Sequence, residues 1–488
     1  MKKQNSILFM SSLKFRDIEH NLVQYIKKKK KFRSVFVVNT QEQKDFYLGR
    51  FSKYIDKIIV LPNELDILGE KELGVKLEEM VLKAEKKYKM TIFRLFLEDR
   101  IIGRGFHSTG GINHPETRLT RSSYKQVVFL AVKRIEFWEN ILSENNVKLT
   151  LNLPKPIATI AKNMKIRPFN LNIGKFEKRL IWTENTNKEP DNLEKEFKKN
   201  KSQKYKRVKI KEPHHNHAAL RSTTLKGFYL KHTFKFALKN ALQSIKGKIK
   251  GQRKGKNIIT LSELSYIWRR RNEFLELKKI SNINLAEIKK KKINFFYFSL
   301  VTEPETTLHG TASDFFFQMA AIQMIARDLP SNYKLIVKEH LPSIGRRPKD
   351  FYKQLLALKN VLIADPLEYG ISYINNSTAI ALVTGTAGWE AAAMGVPVIS
   401  FSKHNTFNFL DHVFYVRDPD DTAKIIDIII KKEYPNKKSI EDGSRMYYSY
   451  KAISFEAKDR LPFIAWENSK QNNYDIKLIE KLYKEMRL

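Results

Sequence analysis

Short apolar runs alternate with amphipathic stretches along the first third of the chain. Ser6–Ser11, Ser34–Asn39 and Lys57–Leu61 are almost unbroken apolar segments. Asp17–Lys29 and Glu70–Lys87 instead space their apolar residues at helical intervals. Continuous apolar strands separated by helices predict a parallel sheet covered on both faces. Thr91–Leu97 predicts a further strand, ending in Glu98-Asp99-Arg100, and a Gly-rich loop follows from Gly103 to Pro115. Ser122–Glu144 reads as a helix, Lys148–Leu153 as a strand, Ile157–Met164 as a helix, and Arg167–Leu171 returns to the sheet. Together these describe a Rossmann-like domain over residues 1–190.

Residues 191–290 differ. They are Lys-rich, with helical stretches at Leu225–Ile245 and Leu261–Lys278 between polar segments, and read as a basic helical insertion or linker. Alternation resumes at Ile293. Strands are predicted at Ile293–Leu300, Tyr333–Lys338, Val361–Ala364, Ile380–Thr384, Val396–Phe401 and Val413–Val416. Helices are predicted at Ala312–Asp328, Pro348–Leu358, Glu368–Asn376, Trp389–Met394 and Asp421–Lys432. This is a second doubly wound α/β unit, residues 291–435, followed by Tyr/Phe-rich helices over 436–488 that pack back. The Phe/Tyr stripe in Ile293–Phe298 belongs to a core strand. The fold class is thus α/β, with two Rossmann-like domains facing a cleft.

Composition narrows the chemistry. Cysteine is absent from the 488 residues, which excludes disulfides, thiolate nucleophiles and Cys-based metal centres. Lys+Arg number 90 against 52 Asp+Glu, a net charge of +38, so acidic company is expected: nucleic acid, anionic lipid or a phosphorylated substrate. Lys198 to Lys256 holds 19 Lys/Arg and one acid, Glu212, about half of that excess. No secretory signal is visible, and the longest apolar-looking run, Ala379 to Phe401, is broken by Gly385, Gly388, Glu390, Gly395 and Pro397. The reading is a cytoplasmic protein whose basic stretch suits the inner face of a membrane. No helix-turn-helix, zinc-finger, RNP or KH pattern supports specific nucleic-acid binding. His214-His215-Asn216-His217 lies in low-complexity sequence without carboxylates or cysteine and reads as a solvated loop.

In open parallel sheets ligands bind beyond the carboxyl ends of the strands. Three strand exits carry unusual residues. The first is Thr384-Gly385-Thr386-Ala387-Gly388-Trp389-Glu390, where a buried strand enters a Gly/Thr loop that opens a helix. Glycines let a ligand approach the backbone, and unpaired amides at the helix start favour an anion. Glu390 is expected in the first turn, placed to accept hydrogen bonds from a ribose diol. The second is Lys338-Glu339-His340-Leu341-Pro342, with Arg346-Arg347 close behind. Lys338 and His340 suit a phosphate, His340 donating to a leaving group, and the two arginines add positive charge. The third is Glu303-Pro304-Glu305-Thr306-Thr307, an acidic loop suited to hydroxyls.

With Asn360-Val361-Leu362 and Gly395-Val396-Pro397-Val398-Ile399, these motifs resemble the capsule polysaccharide biosynthesis and export family. That family contains the β-Kdo glycosyltransferases of bacterial capsule assembly. The resemblance runs from Ile293 to about Arg417 and only loosely into the first domain. It implies a GT-B-like, metal-independent glycosyltransferase without a cofactor, its nucleotide-sugar donor held by the second domain and CMP-linked in the Kdo branch. His340 matches the family's donor-phosphate histidine, with Leu341 between it and Pro342. The donor-binding residues implied are Glu305, Lys338, His340, Arg346, Thr384, Gly385, Thr386, Ala387, Gly388 and Glu390. The expected partners are a nucleotide-sugar, a glycan or glycolipid acceptor and an anionic membrane surface.

A base for the acceptor hydroxyl is expected from the first domain, across the cleft. Glu98 and Asp99 are the candidates, with His107, His114 and Glu116 behind them. Asp99-Arg100 also fits a structural ion pair. The alternatives are a GT-B-shaped sugar-nucleotide epimerase, a non-catalytic polysaccharide-assembly protein and, less well supported, a nucleic-acid binder.

Overall fold

The computed structural model describes residues 4–10, 16–29, 32–62, 76–99, 102, 123–201, 203–211, isolated positions between 224 and 242, 261–303, 306–315, 317–348, 350–456 and 476–486. Its strands form two sheets. The first contains β1 (Ser6–Met10), β2 (Arg33–Val38), β3 (Lys57–Val60), β4 (Val147–Leu151), β5 (Arg167–Ile173), β6 (Arg179–Thr183) and β13 (Phe455–Glu456), in the order β13-β6-β5-β4-β1-β2-β3. The second contains β7 (Asn294–Ser299), β8 (Tyr333–Lys338), β9 (Val361–Ile363), β10 (Ala379–Leu382), β11 (Val398–Ser400) and β12 (Val413–Tyr415), in the order β12-β11-β10-β7-β8-β9. These are two Rossmann-like units.

Apolar runs form the central strands because both faces are covered. In β7, Phe296 and Phe298 enter one core layer while Phe295 and Tyr297 enter the other. Successive side chains of a strand point to opposite faces, so a two-sided core needs apolar residues at every position. Each of these four aromatics is at most 1% exposed, and each contributes about 2 kcal/mol of burial free energy. In the first sheet, Leu8, Val35 and Val37 face one layer and Ile7, Phe9 and Phe36 the other.

Two expectations change. Thr91–Leu97 is not a strand: Ile92–Phe96 is a short helix. Thr91 caps it by accepting the Arg94 amide, and Ile92, Leu95 and Phe96 are buried, a helical spacing. The first sheet is not wholly parallel, since β6 pairs antiparallel with β5 and β13 antiparallel with β6. The Lys-rich segment has a polar stretch before its helices. Residues 203–211 have no regular secondary structure, yet they lie against the second unit. There Val208 is buried and donates its amide to Ser444 at 3.2 Å, and the Ile210 carbonyl accepts from Asn375. Most of Leu225–Ile245 falls outside the described residues. The expected helix at Leu261–Lys278 is present as Leu261–Ile280.

The helix Lys437–Ala452 packs on Thr386–Met394, and Ile476–Glu485 packs on Arg16–Lys29. Each sheet reverses its strand order once, between β1 and β4 and between β7 and β10. Those two reversals place the loops described next.

Candidate functional site

A buried ionic cluster fixes the exits of β7 and β8. The Arg347 guanidinium donates to Glu339 at 2.8 Å through two nitrogens, to Glu303 at 2.9 Å and to the Val301 carbonyl at 2.7 Å. Tyr352 donates to Glu339 at 2.8 Å, and Gln318 donates to Glu303 at 3.0 Å. Side chains of Arg347, Glu303 and Glu339 are 1–3% exposed. Burial alone would lower the Arg347 pKa, but the two carboxylates raise it above its ordinary value. Burial raises Glu303, and Arg347 opposes that shift. Arg347 therefore does not offer the ligand the positive charge expected of it; two carboxylates consume it. Glu339 also accepts the His340 amide at 2.6 Å, so the cluster sets the course of the chain at that histidine.

Beside the cluster lies a crevice of about 540 Å³ at the carboxyl ends of β7, β8 and β10. Ser299 and Lys338 are register partners at the ends of β7 and β8, and both line it. Lys338 is 8% exposed, and its ammonium donates to the carbonyls of Glu339 and Pro366 at 3.2 and 3.5 Å. His340 and Arg346 line the same space, as do Thr384, Gly385, Thr386, Ala387 and Glu390.

Gly385 caps the helix Thr386–Met394 at φ +126°, a conformation that favours glycine, and a Cβ there would meet Val301 at 3.2 Å. The start of that helix borders the crevice, and its dipole favours an anion there. The helix begins at Thr386, so Glu390 falls in the second turn rather than the first. It still reaches the crevice, and it is 6% exposed. Tyr297 lies beneath, its pKa raised by burial and further by the Glu390 charge. Gly388 does not line the crevice. A Cβ there would meet Phe407 at 2.7 Å and Leu382 at 2.9 Å, so this glycine serves packing. Glu305 lies outside the described residues.

Sequence reasoning missed several lining groups. Glu368 and Tyr369 come from the loop after β9 and Gly370 from the start of the helix Gly370–Ile374, where a Cβ would meet the Tyr297 hydroxyl at 2.9 Å. Lys175 comes from the turn between β5 and β6 of the first unit. It pairs with Glu189 at 3.0 Å and lies 5.7 Å over the Trp389 ring. No motif surrounds it in the sequence.

Lys175 also borders a second cavity, about 270 Å³, between the two units. Glu98, Lys155, Asn172, Glu189 and Gly310 help to line it. Glu98 is ion-paired with Lys155, which donates to the Gly310 carbonyl at 2.6 Å. A Cβ at Gly310 would fall on the Glu98 carboxylate, so a larger residue there would force that side chain to shift. Asp99 lines neither cavity and accepts the Ile102 amide at 2.7 Å. Arg100, His107, His114, Glu116 and the 214–217 histidines lie outside the described residues. Among the described residues no three His, Cys, Asp or Glu side chains gather as a metal site, and no helix is long and apolar enough to cross a membrane.

No known family profile matches the chain, and no curated protein matches its sequence. Solved structures do match. HepE of Anabaena, determined with UDP and glucose, is 11% identical over 99% of this chain and 98% of its own, with a TM-score of 0.34. The calicheamicin glycosyltransferase CalG4 is 12% identical over 93% and 95%, with a TM-score of 0.27. UDP-GlcNAc 2-epimerase of Methanocaldococcus jannaschii is 10% identical over 92% and 99%, with a TM-score of 0.26. Likeness at this level says nothing of chemistry, which has to come from the residues of the crevice.

Proposed function

We propose that the protein is a GT-B-type glycosyltransferase that moves a sugar, Kdo or a related acidic sugar, from a nucleotide-sugar to a capsular or surface glycan or glycolipid. The observation carrying this reading is the convergence of Lys338, His340, Arg346 and the start of the helix Thr386–Met394 on one crevice at the β7/β10 reversal. Its volume of about 540 Å³ falls in the range of small-molecule and cofactor sites.

In this reading the cations and the helix start hold the donor phosphate, and Glu390 accepts hydrogen bonds from donor hydroxyls. The bond between the anomeric carbon and the phosphate oxygen breaks while the acceptor oxygen bonds to that carbon. Glu98 takes the acceptor's proton, and His340 stabilises the departing phosphate by donating to it. Lys155 pairs with Glu98 and holds its carboxylate at the second cavity, between the two units. Exposed Lys204, Lys206, Arg207, Lys209 and Lys211 suit an anionic membrane carrying the acceptor. Co-sedimentation with anionic vesicles, lost at high salt, checks that part.

A second reading, a sugar-nucleotide epimerase, is favoured by His340, Glu368 and Glu390 lining one crevice, since these groups could move protons on a bound sugar. Thermal shift with CMP, UDP and GDP tests both readings. A nucleotide at a hundred times its Kd adds about 2.7 kcal/mol. His340→Ala should abolish most of that gain while the protein stays folded. Wild-type binding and turnover in His340→Ala would remove the site assignment. Product analysis without acceptor then separates epimerase from transferase.

A further inference from the structure

The loop carrying His340 and Arg346 is gripped from its outer side by a helix of the basic segment. Arg270, on the helix Leu261–Ile280, donates to the Ile344 carbonyl at 2.8 Å and to the Pro342 carbonyl at 3.3 Å. Arg269 donates to the Gly345 carbonyl, and Glu273 accepts the Gly345 amide. Arg269 and Glu273 also pair with each other at 3.0 Å. Within the loop, the amides of Ser343, Ile344 and Arg346 close on carbonyls of His340, Leu341 and Ser343. The arginines thus take up carbonyls that lie outside helix and strand ladders.

The fit is close. Gly345 has φ +87°, and a Cβ there would lie 3.0 Å from the Arg270 backbone. Arg270 also lies 5.4 Å over the Phe228 ring, which stacks on Phe274 at 4.5 Å. Leu277, on the same helix, is fully buried in the core of the second unit. The clamp is therefore anchored by apolar packing that does not depend on its polar contacts.

We propose that Arg270, with Arg269 and Glu273, is a positioning residue that sets where His340 and Arg346 meet the ligand. This rests on reading the crevice as a nucleotide-sugar site. It gives the basic segment a role in that site besides any contact with a surface. Arg346 directly follows the gripped Gly345 peptide, and His340 is two residues ahead of the gripped Pro342 carbonyl. Rotation of either peptide would carry both side chains with it.

The test uses the full chain with Arg270→Ala and Arg270→Lys. In Arg270→Ala, hydrogen exchange at the Ile344 and Arg346 amides should speed up, while the melting temperature changes little because Phe274 and Leu277 remain. The KM for the nucleotide-sugar, or the Kd for whichever of CMP, UDP or GDP wild type binds, should rise about tenfold, with a smaller change in kcat. Lysine keeps the charge but lacks the planar fork of the guanidinium, so Arg270→Lys should recover part of the affinity. A merely structural role would lower the melting temperature and leave the affinity of the folded protein within about twofold of wild type; that result overturns the proposal. So does Arg270→Ala exchange at wild-type rates. Wild-type protein that binds none of the three nucleotides overturns the crevice reading instead, and the exchange rates still decide whether the clamp orders the loop.

Discussion

The two sheets reverse strand order in the same way and use the reversal differently. At β7/β10 the second sheet sends out Lys338, His340, a left-handed glycine and a helix start around an open crevice. At β1/β4 the first sheet sends out Lys155, which meets Glu98 of its own unit and the Gly310 carbonyl of the other. One reversal gathers Lys338, His340 and Arg346 around a crevice. The other places the Lys155–Glu98 ion pair beside the join, with Lys175 bordering both spaces. The proposed function assigns binding to one half and proton chemistry to the other, and each set of loops is held by its own contacts.

If the second half depends on its buried ions, Arg347→Met should have the largest effect. It leaves Glu303 and Glu339 buried without their partner, a loss of about 3–5 kcal/mol. Chemical denaturation would read this, and a loss below about 1 kcal/mol would mean the cluster relaxes freely. Next, Glu98→Gln should lower transfer by roughly a hundredfold or more while nucleotide affinity stays near wild type. Normal transfer in that variant would move the base elsewhere and erase the division between the halves.

The first half should also carry a pH signature. Burial lowers the pKa of His20 to about 4, below the unfolded reference of 6.5. The folded state keeps this histidine neutral, so the unfolded state binds the proton first. His20 then favours folding above about pH 6.5, and that contribution is lost as pH falls from there toward about 4. His20→Phe should flatten this part of the stability curve, and an unchanged slope would reassign it. The smallest effect expected is that of Lys175→Ala. Its ammonium already has Glu189, so donor affinity should fall only about threefold. A hundredfold loss would make Lys175 a principal ligand and the first half a partner in binding.

The sequence made the second sheet legible because its strands are buried on both faces and read as unbroken apolar runs. Thr384 to Glu390 was legible as a strand-to-helix turn, although the helix starts three residues earlier than the apolar pattern suggested, which moves Glu390 by a turn. Thr91–Leu97 misled because a short apolar run fits a strand or a buried helix equally well. Gly388 resembled its neighbour Gly385, yet only contact with Phe407 and Leu382 explains it. Arg347 could not be told from Arg346, since one of its partners, Glu303, lies 44 residues away and the other, Glu339, across a loop of no regular spacing. The Arg270 clamp spans 74 residues and leaves no local pattern at all.

β13 has a practical consequence. Phe455 and Glu456 cover the open edge of β6, and the helix after them seals Ile18 and Leu22 through Leu482. The chain thus finishes its first unit only after its second is complete. During synthesis the N-terminal sheet keeps one raw border until residues 455 and 456 emerge, after every strand of the second sheet. A bare strand border is an invitation to mispair. Cleavage near residue 435 should therefore give an aggregating amino-terminal product rather than two tidy pieces, which limited proteolysis with light scattering would reveal.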